Sequence, residues 1–415
     1  MKYLIAIIYS IAYQFVHIYF LFHYFEYLGY KSFPFTYWDI AVTTVFILLP
    51  LRLLPKSGGF TEVFFSSIYF LLYVPILITF LNHYKTFDDR FTNQVFFFVG
   101  FYVLFLIPKY IIFGRHRKVN INAYNFNTSY VLYITIFVLV SLMIAFRNQF
   151  SIVSFENVYA HRAENKLEGV MSYILLWNTY FFGPLTMIIG LLKSKKLYIV
   201  IGILAIITTY GITASKISLF IPLAIIGTHY ILKKRKSIFK FYGVGLTALI
   251  AIFLAVPKQF FVLAAIVLMR TIGIGGLLTY QYNEYFKKAP LTYMSHSAVI
   301  NAITGNYPYK EPLGFVVSKQ YVTMEVNANA NFWATDGIAG FGQWGVIFIS
   351  IILGFTLALL RPIQSRANYR LLALIFVPFN VILLNVSFLT SIMSGGLLFL
   401  LMFVFYKRQV NKSIE

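Results

Sequence analysis

Three basic residues, Arg162, Lys216 and Arg270, stand at or near the ends of long apolar runs, and Arg147 does the same. A guanidinium donates two parallel hydrogen bonds and never deprotonates, so Arg suits phosphate, while Lys adds a compact point charge. A cavity lined by Arg162, Lys216 and Arg270 would hold a diphosphate at a membrane surface. The plain alternative is that each side chain snorkels singly to lipid headgroups, a reading that serves Arg147 equally well. His296, between Ser295 and Ser297, is the type of residue that takes a proton near neutral pH. His161 beside Arg162 is a second base candidate, and Glu284 or Asp336 would serve if desolvated. The ordinary explanation for a lone loop histidine is solvation or a structural hydrogen bond.

Asn327, Asn329 and Asn331 occupy alternate positions ahead of Asp336-Gly337. In an extended chain alternate side chains face one way, and such an amide row suits sugar hydroxyls. Turn and helix-cap chemistry would use the same residues. Tyr285, with Tyr280, Tyr282, Tyr293, Tyr307, Tyr309 and Tyr321, offers rings to stack on sugar faces, or fills an interfacial aromatic belt. His17, His23, His83, His116 and His229 form no constellation and read as structural. There is no cysteine, no Asp-x-Asp and no histidine pair at helix spacing with a carboxylate, so no metal site is expected. Walker, dinucleotide-binding and Gly-x-Ser-x-Gly motifs are missing too, which argues against cytoplasmic nucleotide chemistry.

The elements that must position these residues are helices in a bilayer. Of 415 residues, 60% are apolar and 11% charged, where a soluble domain would carry about 25% charged. Together with a mean hydropathy of +0.76 and recurrent long apolar runs, this defines an all-α polytopic membrane protein. Twelve spans are predicted, at 3–22, 37–54, 62–82, 95–113, 129–147, 170–192, 197–212, 217–232, 239–257, 341–360, 371–386 and 388–406. The first reads as a span and not as a cleaved leader. With the N-terminus inside, 21 of the 34 Lys and Arg fall on the cytoplasmic side, with only Glu62 and Glu415 among the 13 acidic residues. That asymmetry sets the orientation, with both termini cytoplasmic, and makes nucleic acid unnecessary as the reason for a net charge of +21.

The chain reads as one membrane domain, 1–415, with one large outer-face loop at 258–340. Within it Phe260–Met269 has only ten apolar residues and is expected to be re-entrant or interfacial, ending at Arg270. Long loops of varied composition are where membrane proteins place their chemistry.

Several stretches, taken in order, resemble the Wzy-type oligosaccharide repeat-unit polymerases of O-antigen and capsule synthesis. They are Val158-Tyr159-Ala-His161-Arg162, Thr213-Ala-Ser215-Lys216-Ile-Ser218, and Arg270-Thr-Ile-Gly running through aromatics into Met294-Ser295-His296-Ser297. Asn329-Ala-Asn331-Phe through Asp336-Gly-Ile-Ala-Gly-Phe-Gly-Gln-Trp-Gly345 completes the set. The first ~130 residues match in hydropathy alone. The resemblance implies a GT-C-like helical fold in the bacterial cytoplasmic membrane with an outward-facing site. It implies transfer of a growing glycan from one polyprenyl-diphosphate carrier onto another lipid-linked repeat unit, without metal or cofactor. Membrane lipids and a chain-length regulator protein are the partners it implies. On that reading His296 and Arg270 are catalytic, Arg162, Lys216 and Arg270 bind diphosphate, and Tyr285, Asn329, Asn331 and Asp336 bind sugar. An O-antigen ligase or a lipid-linked oligosaccharide flippase remains the alternative.

Overall fold

The computed structural model describes residues 1–55, 58–111, 128–151, 169–255, 260–322, 327–361 and 369–399, and all regular structure among them is helical. Nine helices among the described residues are long and apolar enough to cross a bilayer, which makes the chain a multi-pass membrane protein. In chain order the helices are α1 (Lys2–Leu28), α2 (Tyr37–Leu48, extended by a 3-10 stretch Leu49–Leu53), α3 (Phe60–His83), α4 (Phe87–Tyr110) and α5 (Thr128–Ala145). Then come α6 (Gly169–Lys193), α7 (Lys196–Thr213), α8 (Lys216–Lys233), α9 (Ile238–Ala255) and α10 (Phe261–Phe286). Two short helices, α11 (Ala298–Thr304) and α12 (Leu313–Ser318), precede α13 (Trp333–Leu360), α14 (Tyr369–Leu383) and α15 (Phe388–Ser394). Eight of the long helices match expected spans. The expected spans 37–54 and 371–386 form shorter helices, 217–232 forms α8, whose fully described part is Ser218–Lys233, and 388–406 runs beyond the described residues.

Basic residues collect at one end of the bundle. Lys2 Nζ donates to the Leu51 carbonyl at 2.8 Å, Lys109 Nζ to that of Arg52, and Arg361 to those of Pro108 and Lys109. Buried Glu62 accepts from Gly58 N and Ser237 Oγ at the same end. The opposite end is tied by a mixed network of amides, hydroxyls, carboxylates and a few basic residues. Asn283 and Gln343 both donate to Asn93 Oδ1, and Tyr84 donates to Glu284 at 2.7 Å. Between the ends lies an aromatic core in which polar tips still find partners. Tyr69 and Tyr73, fully buried on α3, donate to the carbonyls of Ile47 and Phe46 on α2 at 2.8 and 2.7 Å.

Two elements differ from their sequence outline. The apolar piece that begins near Phe260 does not stop at Met269, because α10 continues through a π-helical stretch, Ala265–Gly273, to Phe286. Its polar residues Thr279, Gln281 and Asn283 are buried against neighbouring helices, which is why the helix persists where hydropathy falls. It is 26 residues long, and residues near both of its ends touch the C-terminal part of α1. Phe261 packs on Phe20, Tyr24 and Phe25 of α1, and Gln281 donates to the Leu28 carbonyl of the same helix. A π stretch between is a standard place for a helix to bend.

The second is α13, which is a hairpin. Its backbone breaks at Phe341 and Gly342, with Gly342 at φ 66°. Trp333 Nε1 on the short arm then reaches Ser350 Oγ on the long arm at 2.8 Å, a pair ~25 Å apart in a straight helix. The arms touch through glycine: a Cβ on Gly345 would lie 2.0 Å from the Gly337 carbonyl oxygen. The long arm packs along α4, where Gly100 meets Val346 and Ser350.

Gly345→Val is expected to lose at least ~1–3 kcal/mol of stability through overpacking, read as a lower thermal midpoint in detergent; an unchanged midpoint would contradict the hairpin. Single cysteines at Phe260, Lys287 and Lys310 should react with an impermeant reagent from one side of the membrane, and cysteines at Lys109 and Lys234 from the other. If positions 260 and 287 fall on opposite sides, α10 crosses.

Candidate functional site

A cavity of about 390 Å³ opens beside the π stretch of α10. Arg270, the one charged residue lining it among the described residues, is exposed and lies within that stretch. Facing it is the extended segment Asn327–Asn331, joined by Ser215 before α8, Tyr180 of α6, Ser318 and the Leu384–Val386 turn between α14 and α15. A guanidinium amid amides, hydroxyls and apolar walls is a mixed surface: it holds an anion at one point and polar or aliphatic groups around it.

The asparagine row alternates as its spacing suggests, but only in part. Asn327 and Asn329 are exposed, while Ala328 and Ala330 between them are buried. Asn331 ends the alternation. It is fully buried, donates to Thr279 Oγ1 at 2.8 Å, and accepts from the amides of Trp333 and Ala334. That is helix-cap chemistry: Asn331 starts the short arm of the hairpin, and only its neighbours offer amides outward.

His296 and Asp336, 40 positions apart, meet elsewhere. His296 Nε2 lies 3.4 Å from Asp336 Oδ1, an ion-pair distance without hydrogen-bond alignment. The imidazole side chain is 7% exposed and the carboxylate 0%, so the acid has no route to solvent while the base retains a narrow one. Asp336 Oδ2 accepts from Phe388 N at 2.5 Å, the first residue of α15 and next to the Leu384–Val386 turn that walls the cavity. The other side of the ring is set by Thr292, whose hydroxyl is 3.3 Å from Nδ1. Thr292 and Tyr293 in turn bond from their amides to the carbonyls of Ala339 and Gly340 at the hairpin tip. Tyr293 and Met294 both adopt left-handed backbone, φ 47° and 67°, immediately ahead of Ser295-His296. Non-glycine residues persist there only when surroundings over-determine them, a condition common at functional sites.

Arg270, Asn329 and Asn331 are thus brought to one cavity, and His296, Asp336 and Tyr285 are not among the residues that line it. Lys216 begins α8 one residue after the lining Ser215, but its side chain is outside the described residues, as are Arg162, His161 and Glu164. Tyr285 packs into a loop cluster, 6.3 Å from Tyr309 and 5.0 Å from Phe286 between ring centroids. In that cluster burial pushes the Tyr307 hydroxyl up to about 12, so it remains a donor at neutral pH and cannot act as a base. Glu284 is held by Tyr84 and Lys287, and Arg147 is exposed after α5. Among the described residues no three His, Asp or Glu side chains cluster as a metal site would require. Gln281, Ser318 and Asn385 were missed as cavity residues. Asn385 between Leu384 and Val386 carried a signal, a lone amide in an apolar run. No protein-family model, curated protein or solved structure matches the chain.

Because Asp336 Oδ2 is the acceptor for a buried amide, Asp336→Leu should cost ~1–3 kcal/mol by orphaning Phe388 N. Asp336→Asn retains an acceptor and should cost clearly less. Equal midpoints for the two variants in thermal unfolding would show that the bond contributes nothing.

Proposed function

We propose that the protein polymerises polyprenyl-diphosphate-linked oligosaccharide repeat units at the outer face of a bacterial cytoplasmic membrane. The observation that carries the reading is the cavity where Arg270 faces the exposed amides of Asn327 and Asn329 across apolar helix surface. A lipid-linked glycan needs that combination: a cation for diphosphate, amides for sugar hydroxyls and an aliphatic wall for the polyprenyl chain. The basic end of the bundle supports a cytoplasmic assignment for Lys2, Arg52, Lys109 and Arg361. The cavity would then face outward, in a twelve-span, GT-C-like bundle whose termini are both cytoplasmic. A chain-length regulator and the surrounding lipids would be its partners.

In this reaction the acceptor hydroxyl attacks C1 of the donor glycan as its proton passes to His296. The bond from C1 to the phosphate oxygen breaks, and polyprenyl diphosphate leaves with its charge offset by Arg270, helped by Arg162 and Lys216. Asp336 would stabilise the imidazolium and fix the ring, as a buried carboxylate beside a catalytic histidine does. Since His296 does not line the cavity, the step requires the donor C1 and the acceptor hydroxyl to meet between Arg270 and His296, beside the Leu384–Val386 turn. Asn329 and Tyr285 are the sugar contacts open to such a chain, whereas Asn331 and Asp336 act from buried positions. One observation favours a second reading, a lipid-linked oligosaccharide flippase: Arg270 stands within a helix and not in a surface loop. An O-antigen ligase would share the donor site and differ in acceptor.

The test is the purified protein in proteoliposomes with a lipid-linked repeat unit, reading product length and, separately, translocation. Arg270→Ala should lose most polymer, and Arg270→Lys should recover only part, because a point charge lacks the fork. His296→Ala should slow transfer by about 10²–10⁴-fold with protein level unchanged. Translocation without polymer would support the flippase. Near-full turnover by His296→Ala would remove the base assignment.

A further inference from the structure

A second polar constellation lies behind the π stretch of α10, inside the bundle. Tyr13 and His17 of α1, Tyr30 after it, and Thr79 and His83 of α3 are all essentially buried. His17, Tyr30 and His83 form a triangle with ring centroids 5.3 to 6.1 Å apart. The Thr79 hydroxyl neighbours that of Tyr13. Bare backbone of α10 closes the group: a Cβ on Gly273 would fall 2.9 Å from Tyr30 Oη, and one on Gly276 would fall 2.3 Å from Thr79 Oγ1.

One peptide sets the protonation of both histidines. The Lys31 amide donates to His83 Nε2 at 3.1 Å, so in the neutral ring the proton sits on Nδ1. His17 Nε2 is 3.0 Å from the Lys31 carbonyl, which only accepts, so His17 carries its proton on Nε2 and presents a lone pair at Nδ1. The constellation therefore contains a fixed donor, His83 Nδ1–H, a fixed acceptor, His17 Nδ1, and the hydroxyls of Tyr13, Tyr30 and Thr79. Apart from the Tyr13 and Thr79 hydroxyls, which lie close enough to bond each other, none of these five atoms has a hydrogen-bond partner within the protein. Buried polar groups are very rarely left so, and five of complementary character in one place are a site for a shared ligand. Water suits it best: a buried water makes about three hydrogen bonds and both donates and accepts, whereas a cation would find the His83 proton pointing at it.

We infer that Tyr13, His17, Tyr30, Thr79 and His83 enclose an ordered-water site between α1, α3 and α10. Gly273, in the same π stretch as Arg270, closes against Tyr30 Oη, so this water backs onto the stretch that carries the cavity's charge. The site is independent of the proposed reaction.

The experiment is hydroxyl-radical footprinting of the full-length protein in ¹⁸O-water, where radicals form on bound water and mark adjacent side chains however deeply buried. Tyr69 and Tyr73 are internal controls, being equally buried but bonded to backbone carbonyls. Tyr13 and Tyr30 are expected to be oxidised several-fold faster than these controls. Tyr13→Phe and Tyr30→Phe should each lower the thermal midpoint, because a hydroxyl bonded to water is lost. Oxidation no faster than at Tyr69 and Tyr73 would overturn the proposal. So would a raised midpoint in the Phe variants, since deleting an unsatisfied hydroxyl from a dry site stabilises.

Discussion

An extended strand cannot enter a helical membrane bundle unless every buried amide and carbonyl on it is satisfied. The segment Asn327–Asn331 meets that condition at Ala328 and Asn331 through bonds to the surrounding elements. The Ala328 amide donates to the Gly314 carbonyl at 3.2 Å, and Tyr282 of α10 donates to the Ala328 carbonyl at 3.1 Å. Asn331 caps the next helix with its own side chain and anchors on Thr279. Gly314 is needed because a Cβ there would lie 3.1 Å from the Ala328 backbone. Helices α10 and α12 and the start of the hairpin are thus placed by one short stretch of irregular chain, which leaves two amides free toward the cavity.

The hairpin extends that constraint to the histidine. Its arms close on Gly337 and Gly345, which brings Asp336 between the α15 amide and the His296 ring. The strap at Thr292–Tyr293 is bonded to the tip of the same hairpin, so imidazole and carboxylate are held by one body. The left-handed backbone at Tyr293 and Met294 is the local cost of that turn, offset by the strap's hydrogen bonds. Cavity and dyad therefore share a scaffold without sharing a surface.

At the same end of the molecule, Arg90 pairs with Asp39 at 2.8 Å, both nearly inaccessible, and Arg90 also donates to the Pro34 carbonyl. Thr36 and Asp39 form a capping box that starts α2. The pair fixes how α2 meets α4, and removing one partner would strand a buried charge. Arg90 is a reminder that a cation at this end of the bundle can be purely architectural.

Hydropathy and charge alone determined the membrane class, the long helices and the basic end, because a bilayer requires some twenty apolar residues per span and cytoplasmic loops retain Lys and Arg. The alternation at Asn327 and Asn329 and the place of Arg270 at the end of an apolar run were legible for a similar reason: they are local patterns. Contacts between distant positions were not legible. Nothing local ties His296 to Asp336, or His17 and His83 to the Lys31 peptide, since each meeting depends on how helices pack. Hydropathy also stopped α10 at Met269, because it counts Thr279, Gln281 and Asn283 as polar without knowing that partners bury them. Gly342, read as one more residue of an apolar span, became a reversal only when Gly337 and Gly345 allowed two backbones into contact. Where a side chain's partner comes from another helix, tertiary structure decided its role.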